Sequence, residues 1–390
     1  MAANRRNNRD LLPIFNKFKD ICNSLEIGKI LGRGGFGEVR DVRYKNKVMA
    51  GKIVIKDNRE ILDEEKYGLE LRGQNLIKIN KIITKEFNGV YYDLIIMEKA
   101  ILRDLGKLTE YFHKHDLLKT LYEPFDEIGG DTYLRFYARQ IINALEILDR
   151  HYCIHYDIKP ENLLITYNLI IKLSDFSLLR KVKSEKTTIP GGTTGYIGPE
   201  YYQDKQIESE YARKQDYFAL GATLFYIKYG EPLLKYKNEE EKIVNADRII
   251  DLLQKNITFI KSQHLADKDF IEFLCSLISY RPKDRPSFEQ IYRNKWLNKN
   301  VKYINDIFWA FDIDEEKLIM ELQKVDFFIK KKNLNKREDL EIDNLNNEEK
   351  ELKDNIIKKD KDKDKKSIKC NKKCRFRFKK KNKNSYKILN

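Results

Sequence analysis

Three glycines in the segment LGRGGFGEV, Gly32, Gly34 and Gly37, fit the spacing GxGxxGxV. Glycines spaced in this way let backbone amides approach a phosphate with no Cβ in between. A dinucleotide-binding turn of similar composition should open a helix, whereas an alternating, strand-like segment follows Val39. An ordinary glycine-rich hairpin fits the same residues. Further along, two polar clusters interrupt apolar segments: HYDIKPEN at 155–162 and SDFS at 174–177. Together they present Asp157, Lys159, Asn162 and, thirteen residues beyond Asn162, Asp175.

The pattern HxDxKxxN followed by a DFG-like triplet resembles the protein kinase family, of the serine/threonine type because a lysine stands two places after Asp157. The resemblance implies an ATP- and Mg²⁺-dependent phosphotransferase acting on serine or threonine in protein substrates. In that family's pattern Asp157 accepts or orients the hydroxyl proton of the substrate, Lys159 neutralises charge on the transferring phosphoryl, and Asn162 and Asp175 hold the metal. Lys52, in MAGKIV, matches the lysine that contacts the α- and β-phosphates. Its expected carboxylate partner lies among Glu60, Glu64, Glu65 and Glu70 on the next helix. Glu64, eleven residues before Asn75, has the family's usual spacing, and Glu65 is its nearest competitor. MEKA at 97–100 resembles the hinge, with Met97 as gatekeeper and the backbone of Glu98 and Ala100 offered to the adenine edge. Val39, Ala50 and Leu164 would then sandwich the ring, although apolar residues such as these suit any core. Asp104 stands where a ribose-binding carboxylate often sits, and also reads as a plain surface residue.

The resemblance continues through GGTTGYIGPE at 191–200, where Thr193 takes the position that contacts the catalytic aspartate and lysine. Glu200 and Arg285 match a buried ion pair, and Asp216 matches an aspartate that braces the catalytic loop. Three departures stand out. Tyr156 replaces the arginine that usually precedes the catalytic aspartate, so control through phosphorylation of Ser184, Thr187 or Thr188 should be weaker than usual. Ser177 replaces the glycine of DFG, and Gly198 replaces the alanine of APE, a change expected to matter little. The alternative from another class is a pseudokinase, an ATP-binding scaffold without turnover; the presence of Lys52, Asp157, Asn162 and Asp175 argues for catalysis.

The elements that must position these residues fall into two groups. Residues 26–56 alternate apolar and polar positions as three antiparallel strands, and a helix is expected from about Arg59 to Leu71. Asn88 and Gly89 separate two further alternating runs, as the turn of a hairpin would. From Asp131 the spacing becomes helical, with Leu134, Ala138, Ile141, Ile142, Leu145 and Leu148 on one face, and more helices are expected at 212–228, 246–255, 268–279 and 287–294. The fold class is therefore α+β, a five-stranded antiparallel small lobe carrying one helix and a mainly helical large lobe, and the resemblance implies that these form a two-lobed kinase fold. The expected divisions are an N-terminal extension at 1–25, small lobe and hinge at 26–100, large lobe at 101–297, a helical extension at 298–330 and a basic, disordered tail at 331–390.

Composition bounds the rest. The formal charge of +15 over 390 residues suggests nucleic-acid binding until it is located: Lys358–Asn390 alone holds 16 Lys/Arg against 3 Asp. Basicity therefore describes the tail. There KCNKKCRFRFKKK interleaves aromatic and basic residues, which suits an acidic partner, nucleic acid or a membrane surface, and equally a solvated lysine-rich tail. Five cysteines without framework spacing suit a reducing compartment, cytoplasmic or nuclear. The polar start MAANRRNNRD does not read as a signal peptide, and no run approaches the roughly eighteen apolar residues of a transmembrane segment.

Overall fold

The computed structural model describes residues 10–299 except 35–36, 57–62, 101–103, 115–131, 167–169, 183, 204–205, 235–245 and 264–266. The amphipathic helix expected within 301–330 and the basic tail lie outside the described residues.

The chain enters through α1 (Leu12–Ile21) and continues into β1 (Leu25–Gly34), β2 (Gly37–Tyr44) and β3 (Lys47–Lys56). After α2 (Asp63–Glu70) come β4 (Ile79–Phe87) and β5 (Val90–Met97). The five strands form one antiparallel sheet in the order β1-β2-β3-β5-β4. The β4–β5 hairpin turns on Asn88 and Gly89, both at positive φ (55° and 76°), the conformation a two-residue hairpin of this hand requires. One face of β1–β3 packs Leu25, Val42, Met49 and Ile53 against Leu11, Phe15 and Phe18 of the entering segment. That helix was not predicted, although Leu11, Ile14, Phe15 and Phe18 recur at helical spacing.

The larger part is helical, with α3 (Leu105–Lys114) and α4 (Thr132–Arg150) first. Short strands follow: β6 (Cys153–Ile154), β7 (Leu163–Ile165), β8 (Ile171–Leu173), β9 (Arg180–Lys181) and β10 (Lys186–Thr188). Then come α5 (Glu200–Gln203), β11 (Gln206–Glu208), α6 (Ser209–Ala212), α7 (Lys214–Tyr229), α8 (Ala246–Lys261), α9 (Lys268–Leu277), α10 (Phe288–Tyr292) and α11 (Lys295–Asn298). All six predicted apolar positions of α4 are buried. They pack on α7, which is buried on nearly every side from Gln215 to Phe225, as a helix with no polar face must be. Asp104, in an isolated bridge with Leu164, accepts from Lys107 N at 2.9 Å and so caps α3.

Two short ladders frame the loop that carries Asp157. β7 pairs with β8, and β6 pairs with β9. β8 is fastened from outside by Asn75, whose amide donates to Ile171 O (3.0 Å) and to Gln140 Oε1 (3.1 Å). Its backbone is held by Leu173 N to Asn75 O (2.8 Å) and Ile77 N to Leu173 O (2.9 Å). Among the described residues, no helix is long and apolar enough to cross a membrane.

Candidate active site

The loop between β6 and β7 places its polar side chains through a dense set of bonds. Asp216, buried at the start of α7, accepts from the backbone N–H groups of His155 (2.8 Å) and Tyr156 (2.9 Å). Burial pushes its carboxyl up to about 7, against the pull of those two donors. Holding both amides turns the backbone sharply, and Tyr156 takes a left-handed φ of 65°. Burial also pushes the His155 imidazole below its ordinary range, which keeps the ring neutral. The network fits one tautomer: Nε2–H donates to Ser174 O (3.1 Å), and Nδ1 accepts from Asp157 N (3.3 Å).

Asp157 is almost wholly buried, and both its oxygens are occupied. Oδ1 accepts from Thr193 N (3.0 Å) and Thr193 Oγ1 (2.6 Å). Oδ2 accepts from Lys159 Nζ (2.8 Å) and Asn162 Nδ2 (2.9 Å), and Lys159 Nζ reaches Thr193 Oγ1 as well (2.5 Å). Lys159 and Asn162 of the same loop and Thr193, 36 residues further on, thus meet at one carboxylate.

Asp175 approaches from β8. Its backbone is left-handed (φ 63°, ψ 72°), and Phe176–Leu178 then form a single 3₁₀ turn. Ser177 does not share the positive φ, so it sits without strain of that kind. Burial would raise the Asp175 carboxyl, but the Lys52 charge and hydrogen bond outweigh it and hold the group at about 2. Lys52 Nζ lies 2.6 Å from Asp175 Oδ1. Glu64, the expected partner of Lys52, falls within α2, but its side chain lies outside the described residues.

The remaining predicted residues line the sheet and the strand that follows it. Gly32 pairs with Val39, and Gly34 with Gly37, at the closed end of the β1–β2 hairpin. Gly37 has φ 148°, and a Cβ there would meet Ile53 O at 1.9 Å, so only glycine fits. Val39 pairs with Lys52, and Ala50 with Met97, which puts the hinge beside β3. The Glu98 N–H donates to Lys78 O (2.9 Å), so of the backbone groups expected to face adenine this one is committed elsewhere. The hinge side chains pair to either side: Lys99 with Asp41 (2.7 Å) and Glu98 with Lys172 of β8 (3.0 Å). Ala100 is half-buried at the end of the hinge, and Leu164 lies at the centre of β7.

The segment from Asp175 to Glu200 is tied down by contacts that spacing did not reveal. β10 pairs antiparallel with β11, Ser209 N donates to Glu185 O (2.8 Å), and Ser209 Oγ donates to Ser184 O (2.5 Å). Tyr156, Ile154, Ile189 and Ala212 form a separate buried cluster, with Val182 and Ile207 packed on it. At the far end Glu200 takes a bidentate pair from Arg285, Nη1 and Nη2 each at 2.7 Å. Gly198 matters here, contrary to expectation: a Cβ would meet the Glu200 carboxylate oxygens at 2.5 and 2.6 Å.

An occluded carboxylate flanked by lysine and asparagine and a second aspartate on a lysine thus stand in a two-lobed scaffold whose small-lobe sheet carries a glycine-closed hairpin. The chain matches the protein kinase domain over residues 25–297, and it belongs to the protein kinase family, as an enzyme of the serine/threonine type. It is similar to the Aurora kinase of Saccharomyces cerevisiae, 30% identical over 297 residues, 74% of this chain and 73% of the relative. The Aurora kinase of Eremothecium gossypii is 29% identical over 280 residues, covering 71% and 70%. The human serine/threonine-protein kinase MRCK alpha is 32% identical over 228 residues, 56% of this chain but 13% of that protein. Members of the family generally use ATP and Mg²⁺.

Proposed function

We propose that this kinase transfers the γ-phosphoryl of ATP to serine or threonine hydroxyls, with Asp157 orienting the hydroxyl and receiving its proton as the new P–O bond forms and the bond to ADP breaks. The observation that carries this reading is the convergence of Thr193, Lys159 and Asn162 on Asp157. Lys159 neutralises charge on the transferring phosphoryl oxygens. Lys52 contacts the α- and β-phosphates, and Glu64 orients it. Gly32, Gly34 and Gly37 offer backbone amides from above, and the 1.9 Å approach that a Cβ at Gly37 would make shows how closely this hairpin folds on β3. Val39, Ala50 and Leu164 hold the adenine between apolar surfaces, Met97 closes its rear, and recognition at Glu98 falls to the carbonyl because its N–H is already bonded.

Asn162 and Asp175 would hold Mg²⁺, which when bound neutralises charge on the β- and γ-phosphate oxygens. Among the described residues no three His, Cys, Asp or Glu side chains cluster as a metal cage. Two protein ligands fit Mg²⁺, which keeps most of its shell as water and substrate phosphate.

The test is phosphate transfer from γ-labelled ATP to a mixed Ser/Thr substrate by wild type and Asp157→Ala, with nucleotide binding measured in parallel. Label on serine or threonine from wild type alone supports the assignment. Nucleotide binding without transfer by wild type would return the protein to the scaffold reading.

A further inference from the structure

The N-terminal helix α1 precedes the segment matched by the kinase family, yet it reaches the phosphate-facing hairpin through a ladder of charges. Asp10, just before α1, lies 3.2 Å from Arg40 Nη2 and 3.6 Å from Arg33 Nη2. Both arginines converge on Glu38: Arg33 Nε at 2.7 Å and Arg40 Nε at 2.5 Å from its two oxygens. Glu38 is 1% exposed and Arg40 8%, so the pair is desolvated and costly to leave without partners. The Arg40 guanidinium also lies 5.7 Å from the centre of the Phe15 ring of α1, where its charge meets the ring face.

Position gives this ladder its significance. Arg33 and Glu38 are direct cross-strand partners, one step outside the Gly34–Gly37 pair that closes the hairpin. Alternate residues of a strand face opposite sides: Glu38, Arg40 and Val42 point toward α1, while Val39 is left for the nucleotide side. α1 therefore holds the back of the hairpin whose front is assigned to the phosphates. A glycine-rich turn is intrinsically loose, and fixing its two flanking residues lowers the entropy lost when a nucleotide binds.

We infer that Asp10, through Arg33, Arg40 and Glu38, is a positioning residue for ATP, and that α1 belongs to the nucleotide-binding apparatus. This inference rests on the kinase reading above. Asp10 is 61% exposed, so Asp10→Asn should fold normally while releasing the ladder.

The experiment compares full-length wild type, Asp10→Asn, Asp10→Glu and Phe15→Ala by titration with a fluorescent ATP analogue and by steady-state kinetics. Asp10→Asn is expected to raise the ATP Kd and KM about two- to fivefold, the range open to a partly exposed ion pair. The kcat at saturating ATP, the KM for the protein substrate and the melting temperature should stay unchanged. Asp10→Glu should restore nucleotide affinity, and Phe15→Ala should weaken it together with stability. Wild-type affinity in both Asp10→Asn and Phe15→Ala would overturn the inference and leave the kinase assignment standing. No nucleotide binding by wild type would overturn both.

Discussion

Thr193 directs both its backbone N–H and its hydroxyl at one oxygen of Asp157, Oδ1, at 3.0 and 2.6 Å. The 191–200 segment and the loop that carries Asp157 are thereby joined at the carboxylate proposed to receive the substrate's proton. Removing the hydroxyl in Thr193→Val should lower kcat about 10- to 100-fold, the effect of one hydrogen bond to a charged group. ATP affinity should be unchanged, and Thr193→Ser should recover most of the rate. A kcat of Thr193→Val equal to wild type in single-turnover assays would remove Thr193 from the mechanism.

Tyr156 stands where many kinases carry an arginine that answers a phosphorylated loop. Here the ring is buried with Ile154, Ile189 and Ala212, and the β10–β11 pairing adds a backbone ladder. The segment is thus seated by apolar contact and main-chain bonds. Replacing the exposed Thr188 by alanine is expected to leave kcat within about twofold of wild type, because exposed substitutions of this kind cost little. Tyr156→Arg would bury a charge without a partner and should cost about 3–5 kcal/mol in denaturant unfolding. Tyr156→Phe keeps the ring and should cost less than about 1.5 kcal/mol.

Asp175 supplies a pH prediction. Its folded-state carboxyl is held at about 2 by Lys52 in spite of burial, below the ~3.9 of an unfolded aspartate. The pair therefore contributes stability above about pH 4, and that contribution is lost as pH falls toward 2. In Lys52→Met the opposing cation is gone and the Ser177 hydrogen bond is left as the main contact against burial, so the carboxyl should titrate higher than in wild type. Carbon-detected NMR of the metal-free variant would register this as a shift toward neutral pH.

Asp216 gives the opposite sign. Its carboxyl is raised to about 7, so its protonated form is favoured by folding, and the associated stability is lost as pH rises from about 4 to 7. The melting-temperature advantage of wild type over Asp216→Asn should accordingly shrink across that window. An advantage that grew with pH would mean that the two backbone donors, and not burial, dominate this site.

The sheet, its hairpin turn and the long helix α4 were legible because period-two and helical spacings are strong over long runs, and because Asn88–Gly89 is a strong turn signal. The residues that meet around Asp157 were legible through the motif resemblance alone; nothing in composition brings Thr193 to Asp157 across 36 positions. What spacing could not reveal depends on distant partners. The apolar cluster around Tyr156 draws on four separate segments, and β10 and β11 are three residues each, too short to carry a period. The backbone of Glu98 was expected at the adenine edge; its N–H bonds to Lys78 O, just before β4, a contact that becomes visible only once the strands are in register.

The covering of the small-lobe sheet by α1 also bears on how the protein is handled at the bench. A recombinant fragment trimmed to residues 25–297, the span of the family match, would leave Val42, Met49 and Ile53 without Phe15 and Phe18 above them. A contiguous apolar face of that kind favours self-association. Such a fragment should express poorly and elute as aggregates, whereas one that begins before Asp10 should remain monodisperse in gel filtration.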